Sequence, residues 1–142
     1  MKLNIGSGLN YRIGYVNIDK SKKAKADLFL DLEKGRLPYK DNSVEEIIAT
    51  HVLEHIQNII PLMNECYRVL KKEGRMFIEV PQNEGIFADP THVRGFSNLS
   101  FRYYCGYPFS EIYGIKCNFK EIQNIFINNQ DGGVLQVILE KW

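Results

Sequence analysis

Short apolar runs separated by turn formers open the chain, and a helical stripe follows them. Leu3 and Ile5 precede Gly6-Ser-Gly8, and Tyr15-Val-Asn-Ile18 ends in Asp19. Both runs read as strands, as does Ala26 to Leu32. Turn formers fill Lys34-Gly-Arg-Leu-Pro38 and Lys40-Asp-Asn-Ser43, ahead of a buried fourth strand over Val44 to Ala49. Leu53, Ile56, Ile60, Met63, Tyr67 and Leu70 then recur at steps of three and four, the spacing of one helix face. Pro61 suits a first turn but would break an interior, so the helix is expected to start near Asn58. Lys71 and Lys72 complement its negative end, and Gly74 is the expected stop. Arg75 to Pro81 reads as a fifth strand. Gln82 to Pro108 is irregular and aromatic, with a short helix expected around Leu99 to Tyr104. Ile115 to Phe126 and Val134 to Trp142 read as two long strands; residues 127–133 are too few for a helical crossover, so these strands should pair antiparallel.

One gap breaks the alternation of strand and helix. Between Gly8 and Val16 there is no helical periodicity, whereas parallel neighbours normally need a crossover of a dozen or more residues. Either the first helix is reduced to a loop or the two strands are not parallel neighbours; the reduced helix is the expectation. Gly6 and Gly8 allow a sharp turn and a close backbone approach to a ligand. Asp19 offers acceptor oxygens that could grip both hydroxyls of a ribose.

The chain has 142 residues, enough for one domain over 1–142 and no separate substrate domain. Its formal net charge of +1 provides no field to draw it to nucleic acid or an anionic surface, so no nucleic acid partner is expected. No apolar run reaches membrane-spanning length. Met1-Lys2 leads straight into the first strand, so no signal peptide is expected and the cytoplasm is the default. Cys66, Cys105 and Cys117 lack C-x-x-C spacing, which points to a reducing compartment with neither a disulfide framework nor a zinc site.

Five segments, in order, carry a resemblance. They are Asn4-Ile-Gly-Ser-Gly8, Asn17-Ile-Asp19, Asp31-Leu32 with Leu37-Pro38 and Asp41-Asn-Ser43, Thr50-His-Val-Leu-Glu-His55, and Glu65 to Gly74. Together the chain resembles the Rossmann-like S-adenosylmethionine-dependent methyltransferases, in particular the small type 11 methyltransferase-domain group. That likeness implies an α/β Rossmann-like three-layer sandwich with a mostly parallel sheet, to which the residue pattern adds an antiparallel C-terminal hairpin; the first helix, reduced or absent here, departs from the family's pattern. It implies S-adenosylmethionine as cofactor and a small-molecule, glycan or lipid-precursor acceptor. Asn4, Gly6, Ser7, Gly8, Asp19, Asp31, Leu32 and His51 are the implied cofactor residues. Asp19 would take the ribose and Asp31 the adenine amino group, with Leu32 against the ring; Leu53 and Ile18 serve as apolar walls or as core. The longer glycine string after Gly8 is missing, so the methionine end of the pocket is expected to be open or completed by another subunit of a homo-oligomer.

For the chemistry, His92 in Ala88-Asp-Pro-Thr-His-Val-Arg-Gly-Phe96 is the first candidate base or substrate contact, by a likeness to the T-H-x-R-x-F loop of relatives. Asp89 would orient it, Arg94 would clamp an anion, and His51 is the second candidate. His92 reads equally as a pin for its loop. Phe96, Phe101, Tyr103, Tyr104, Tyr107 and Phe109 read as core under the loop or as acceptor lining. Three alternatives stand beside this reading. A catalytically inactive cofactor-binding or oligomerisation domain fits the minimal size. His51-Val-Leu-Glu-His55 matches the H-x-x-E-H of inverted zinc metallopeptidases. Against it, His51 follows a buried run and should lie at a strand end, outside a helix, so no metal is expected and His55 reads as a helix-start or core histidine with a satisfied hydrogen bond. A nicotinamide-dependent oxidoreductase would need glycine where Tyr11 stands, and a helix to hold the pyrophosphate.

Overall fold

The computed structural model describes residues 1–34 and 36–142; Gly35, inside the turn expected over 34–38, lies outside the described residues. The strands are β1 (Lys2–Ile5), β2 (Val16–Asp19), β3 (Leu28–Phe29), β4 (Val44–Thr50), β5 (Leu70–Pro81), β6 (Phe119–Ile127) and β7 (Val134–Lys141). They form one sheet in the order β3-β2-β1-β4-β5-β7-β6. The pairings from β3 through β5 are parallel, and β7 runs antiparallel to both β5 and β6. The mostly parallel Rossmann-like sheet with an antiparallel C-terminal hairpin therefore stands as expected. β1 and β2 are parallel neighbours with no helix between them among the described residues.

Period-two alternation explains one buried face of this sheet. Leu3, Ile47, Met76 and Leu139 lie in one row of the register, and Ile5, Ala49, Ile78 and Val137 in another; all are buried. Onto that face packs α1 (Ile59–Val69), which buries Ile59, Leu62, Met63, Cys66 and Val69 on one stripe. Phe96, Phe101 and Tyr104 complete the layer, with the Phe96 and Phe101 rings stacked at 5.2 Å. They are core. Phe109 is 69% exposed, and Tyr103 and Tyr107 pair at the surface edge beneath the Arg102 guanidinium.

The opposite face carries no helix among the described residues. Half-buried Ile48, Phe77 and Ile138 form a row there, walled by Arg12, Glu46, Glu79, Gln123 and Gln136 around a groove of about 300 Å³. Loop 6–15 replaces the first helix at the edge of this face. The buried Asn4 amide donates to Asn10 O and Asn17 Oδ1, each at 2.8 Å, and the Tyr15 hydroxyl bonds Glu46. The third layer is thus reduced to loops.

Local boundaries depart from the sequence expectation in three places. β3 is two residues long, not seven: Leu30 N still donates to Asp19 O at 3.0 Å, but the chain enters a turn at Leu32. The helix ends at Val69, not near Gly74: Leu70 is extended (φ −62°, ψ 139°) and pairs with Val44. Residues 71–74 bulge from β5, and a Cβ on Gly74 would lie 2.8 Å from Lys71 O, so glycine is required there by contact and not as a helix cap. The short helix near residue 100 is a 3₁₀ turn, Ser100–Tyr104, and α2 (Glu84–Ala88) adds one turn of helix not anticipated.

Candidate functional site

The carboxyl ends of β1, β2 and β4 and the segment after β3 surround a cavity of about 250 Å³. Gly6, Gly8, Asp19, Asp31, Leu32 and His51 line it, six of the positions expected from sequence. Gly6 has φ +65°, and a Cβ there would sit 2.2 Å from Val52 Cγ2, so the backbone must come bare to that wall. Gly8 has φ +50°, and a Cβ there would meet nothing within 4 Å. The turn therefore presents uncovered backbone to open space.

Asp19 closes that turn. Its Oδ2 accepts from Gly8 N at 2.8 Å and its Oδ1 from Ser21 N at 2.8 Å. Each oxygen keeps a further lone pair, so two more donors can be met from the cavity side. Asp31 Oδ1 accepts from Glu33 N at 3.1 Å and is half-buried, while Leu32 is 8% exposed and supplies an apolar wall. An apolar wall, two carboxylates and bare backbone make a donor–acceptor set that fits an adenosyl group. A cavity of about 250 Å³ lies just below the usual range of ligand sites, roughly 300–1,000 Å³, and suits a nucleoside better than a whole cofactor.

Two expected residues serve the scaffold. Ser7 is buried, its Oγ donating to Lys25 O at 3.0 Å and its N–H to Ile18 O at 3.0 Å. The Asn4 amide is spent on Asn10 and Asn17, in the loop that replaces the first helix, and does not line the cavity. Leu53 and Ile18 are fully buried core and do not line it either.

Residues 51–55 turn sharply at the end of β4. His51 takes φ +51°, its N–H donates to Glu79 O at 2.9 Å, and Leu53–His55 form a 3₁₀ turn. The i, i+4 helical pairing of His51 and His55 is therefore absent. His51 Nε2 lies 3.1 Å from Glu79 Oε1 and Nδ1 lies 3.4 Å from Glu54 Oε1; the Glu54 carboxylate, then Glu79, raises the imidazole pKa above 6.5. Glu54 is fully buried, and neither of its oxygens accepts a hydrogen bond among the described residues.

The loop after α2 reaches the same place. His92 is not among the cavity-lining residues; its Nδ1 donates to Ile86 O at 2.9 Å, and its Nε2 lies 3.8 Å from Asp89 Oδ2 and 4.0 Å from Glu54 Oε1. Hydrogen bonds from the Thr91 hydroxyl and N–H hold the Asp89 carboxyl below its usual range. Arg94 commits Nε and Nη2 to Ile56 O and Gln57 O, so those donors pin the 3₁₀ turn. His55 lines the cavity and packs edge-on against His92, ring centres 4.8 Å apart. His55 is half-buried at the end of the 3₁₀ turn, neither at an α-helix start nor in the core, while the satisfied hydrogen bond expected of it is present, between Nδ1 and Thr91 Oγ1 at 3.0 Å. The signal that could have found it is the H-x-x-E-H spacing itself, which suggests a helix that does not form.

The motif at the helix end has a physical basis too. Arg68 binds Glu65 through two bonds, Nε to Oε1 at 2.8 Å and Nη2 to Oε2 at 2.7 Å, and its remaining donors reach Leu37 O, Tyr39 O and Asp41 Oδ1. One guanidinium thus ties α1 to the segment leading into β4.

A model of the methyltransferase domain family matches residues 8–78, half of the chain. An uncharacterized protein of Methanocaldococcus jannaschii is 32% identical over 53 residues, covering 37% of this chain and 23% of that protein's length. A methyltransferase from Archaeoglobus fulgidus superposes with a TM-score of 0.74 at 15% identity, covering 99% of this chain and 85% of that one. A chain of the complex between the Haloferax volcanii Trm112 activator and a methyltransferase gives 0.71 at 14% identity, covering 98% and 81%. The [4+2]-cyclase SpnF gives 0.70 at 15% identity, covering 99% and 74%, so the fold alone does not dictate methyl transfer. With the family model matching half of its length, this chain belongs to the methyltransferase domain family, the Rossmann-like enzymes that use S-adenosylmethionine.

Proposed function

We propose that this chain transfers a methyl group from S-adenosylmethionine to a small-molecule, glycan or lipid-precursor acceptor. The observation that carries the reading is the Asp19 carboxylate, tied to Gly8 N at 2.8 Å yet facing a cavity with acceptor capacity to spare. Asp19 takes the ribose hydroxyls, Asp31 accepts from the adenine amino group, Leu32 packs on the ring, and the Gly6 to Gly8 backbone lies along the ribose and methionine tail. When bound, the cofactor supplies a methyl group on a sulfonium, already an activated leaving group, so the protein's task is alignment and exclusion of water. His51 stands at the cavity rim. His92, with its Nδ1–H committed to Ile86 O, holds a lone pair at Nε2 and is the candidate base, Asp89 orienting it. His55 stands between His92 and the cavity as the route for a proton. Calorimetry with S-adenosylmethionine tests the cradle: saturable heat is expected, and its absence removes the proposal. A labelled-methyl screen over hydroxylated and amino acceptors then separates an enzyme from an inert binder.

A further inference from the structure

All three histidines of the chain converge on one buried carboxylate. Glu54, His55 and His92 each offer a ligand atom, and these atoms lie within 4.8 Å of one another. The Glu54 side chain is 1% exposed, and both of its oxygens are buried without a hydrogen-bond donor among the described residues. Burying a carboxylate without a hydrogen bond is costly, and the approach of His51 Nδ1 to its Oε1 at 3.4 Å falls short of one, so a cation beside Glu54 is favoured. The surroundings are arranged as a metal site's would be. His92 donates Nδ1–H to Ile86 O at 2.9 Å, which leaves Nε2 with its lone pair on the Glu54 side. The Thr91 hydroxyl, its hydrogen given to Asp89 Oδ1 at 2.6 Å, accepts from His55 Nδ1 at 3.0 Å. Imidazoles that bind metals characteristically spend their second nitrogen in this way, which fixes tautomer and ring orientation.

We propose that Glu54, His55 and His92 bind one divalent first-row transition ion at the inner wall of the cavity. Two imidazoles and one carboxylate favour zinc, cobalt, manganese or iron(II) over magnesium or calcium, which prefer all-oxygen shells. The expectation of no metal rested on His51 lying outside a helix, and His51 does lie outside one; the set instead takes its second imidazole from His92, on a loop 37 positions beyond His55. Closing the ligand atoms from 4.8 Å onto one ion requires a side-chain shift on the order of an ångström, since zinc–nitrogen and zinc–oxygen bonds are about 2.0–2.2 Å. Ion binding spends the His92 Nε2 lone pair, so His92 acts as a base only in the ion-free protein, and three protein ligands leave coordination positions open for water or an oxygen of an acceptor. That last role rests on the methyl-transfer reading; the ion site does not.

Chelator-treated protein titrated with cobalt(II) chloride decides it. Saturation at one equivalent with visible d–d absorption, displaced by zinc chloride, is the expected result. Glu54→Gln, His55→Ala and His92→Ala should each weaken cobalt binding by at least tenfold, while Cys105→Ser leaves it unchanged. Folding of each variant is checked by circular dichroism; if Glu54→Gln does not fold, His92→Ala, on its surface loop, decides the question. Absence of saturable absorption, or absorption that persists in the folded variants, overturns the proposal and leaves His51, its Nδ1 3.4 Å from Glu54 Oε1, as the partner of that carboxylate. Cofactor calorimetry on the same samples is independent, so loss of S-adenosylmethionine binding with cobalt binding intact would fault only the methyltransferase reading.

Discussion

Oδ2 of Asp19 accepts the backbone N–H of Gly8 at 2.8 Å, joining the tip of β2 to the turn after β1. In a parallel α/β sheet a crossover helix would ordinarily hold that turn. Here one side chain does it, and the same side chain faces the cavity.

Asp19→Ala should therefore lower affinity for S-adenosylmethionine by at least tenfold. Hydrogen bonds to a charged group contribute about 1.5–3 kcal/mol each, and two are at stake. Isothermal titration measures it, and unchanged affinity would remove the ribose assignment. Asp19→Asn retains one carbonyl acceptor and should fall between the two.

Gly6→Ala should destabilise the fold by about 2–4 kcal/mol, from left-handed backbone strain plus a clash with Val52. Urea denaturation gives the value. Because the colliding atoms belong to the Val52 side chain, the same substitution in a Val52→Ala background should cost less. Equal cost in both backgrounds would mean that the contact does not matter.

Glu65 makes stability depend on pH. The bidentate Arg68 partner, foremost among its causes, holds the Glu65 carboxyl below its ordinary 4.5. A depressed carboxylate contributes stability that is fully present above the unfolded value and is lost as pH falls through the lower folded value. Glu65→Gln should cost about 1–3 kcal/mol at neutral pH, the pair being mostly shielded, with the deficit shrinking below about pH 4.5. Chemical denaturation across pH 3–7 tests the sign; a deficit that grows on acidification would contradict it.

His92→Ala should slow methyl transfer at least tenfold while changing cofactor affinity less than twofold, because His92 lies behind His55 and outside the cavity lining. Single-turnover rates with a labelled methyl group, beside calorimetry, give the two values. Full activity would relieve His92 of a role in the chemistry and leave it as a loop pin through Ile86 O.

Much of the sheet was legible because strand patterning is local. Alternation in Val134 to Lys141 marks an inner and an outer face, and the short link to Phe119–Ile127 forces antiparallel pairing whatever the rest of the chain does. The missing first helix was legible as well, from the count of residues between Gly8 and Val16. The end of the helix was not: lysines and a glycine made a plausible cap, but Leu70 pairs with Val44, a partner 26 positions away.

The cavity and the histidine cluster divide in the same way. Gly6, Gly8, Asp19, Asp31 and Leu32 sit at strand ends, and all parallel strand ends of such a sheet point one way, so sequence order alone brought them together. Glu54, His55 and His92 meet because residues 51–55 abandon the helix their spacing suggests and a distant loop folds back on them. Period and composition determine which elements form; non-local packing decides which buried charge meets which side chain, because that energy is absent until the distant segment arrives.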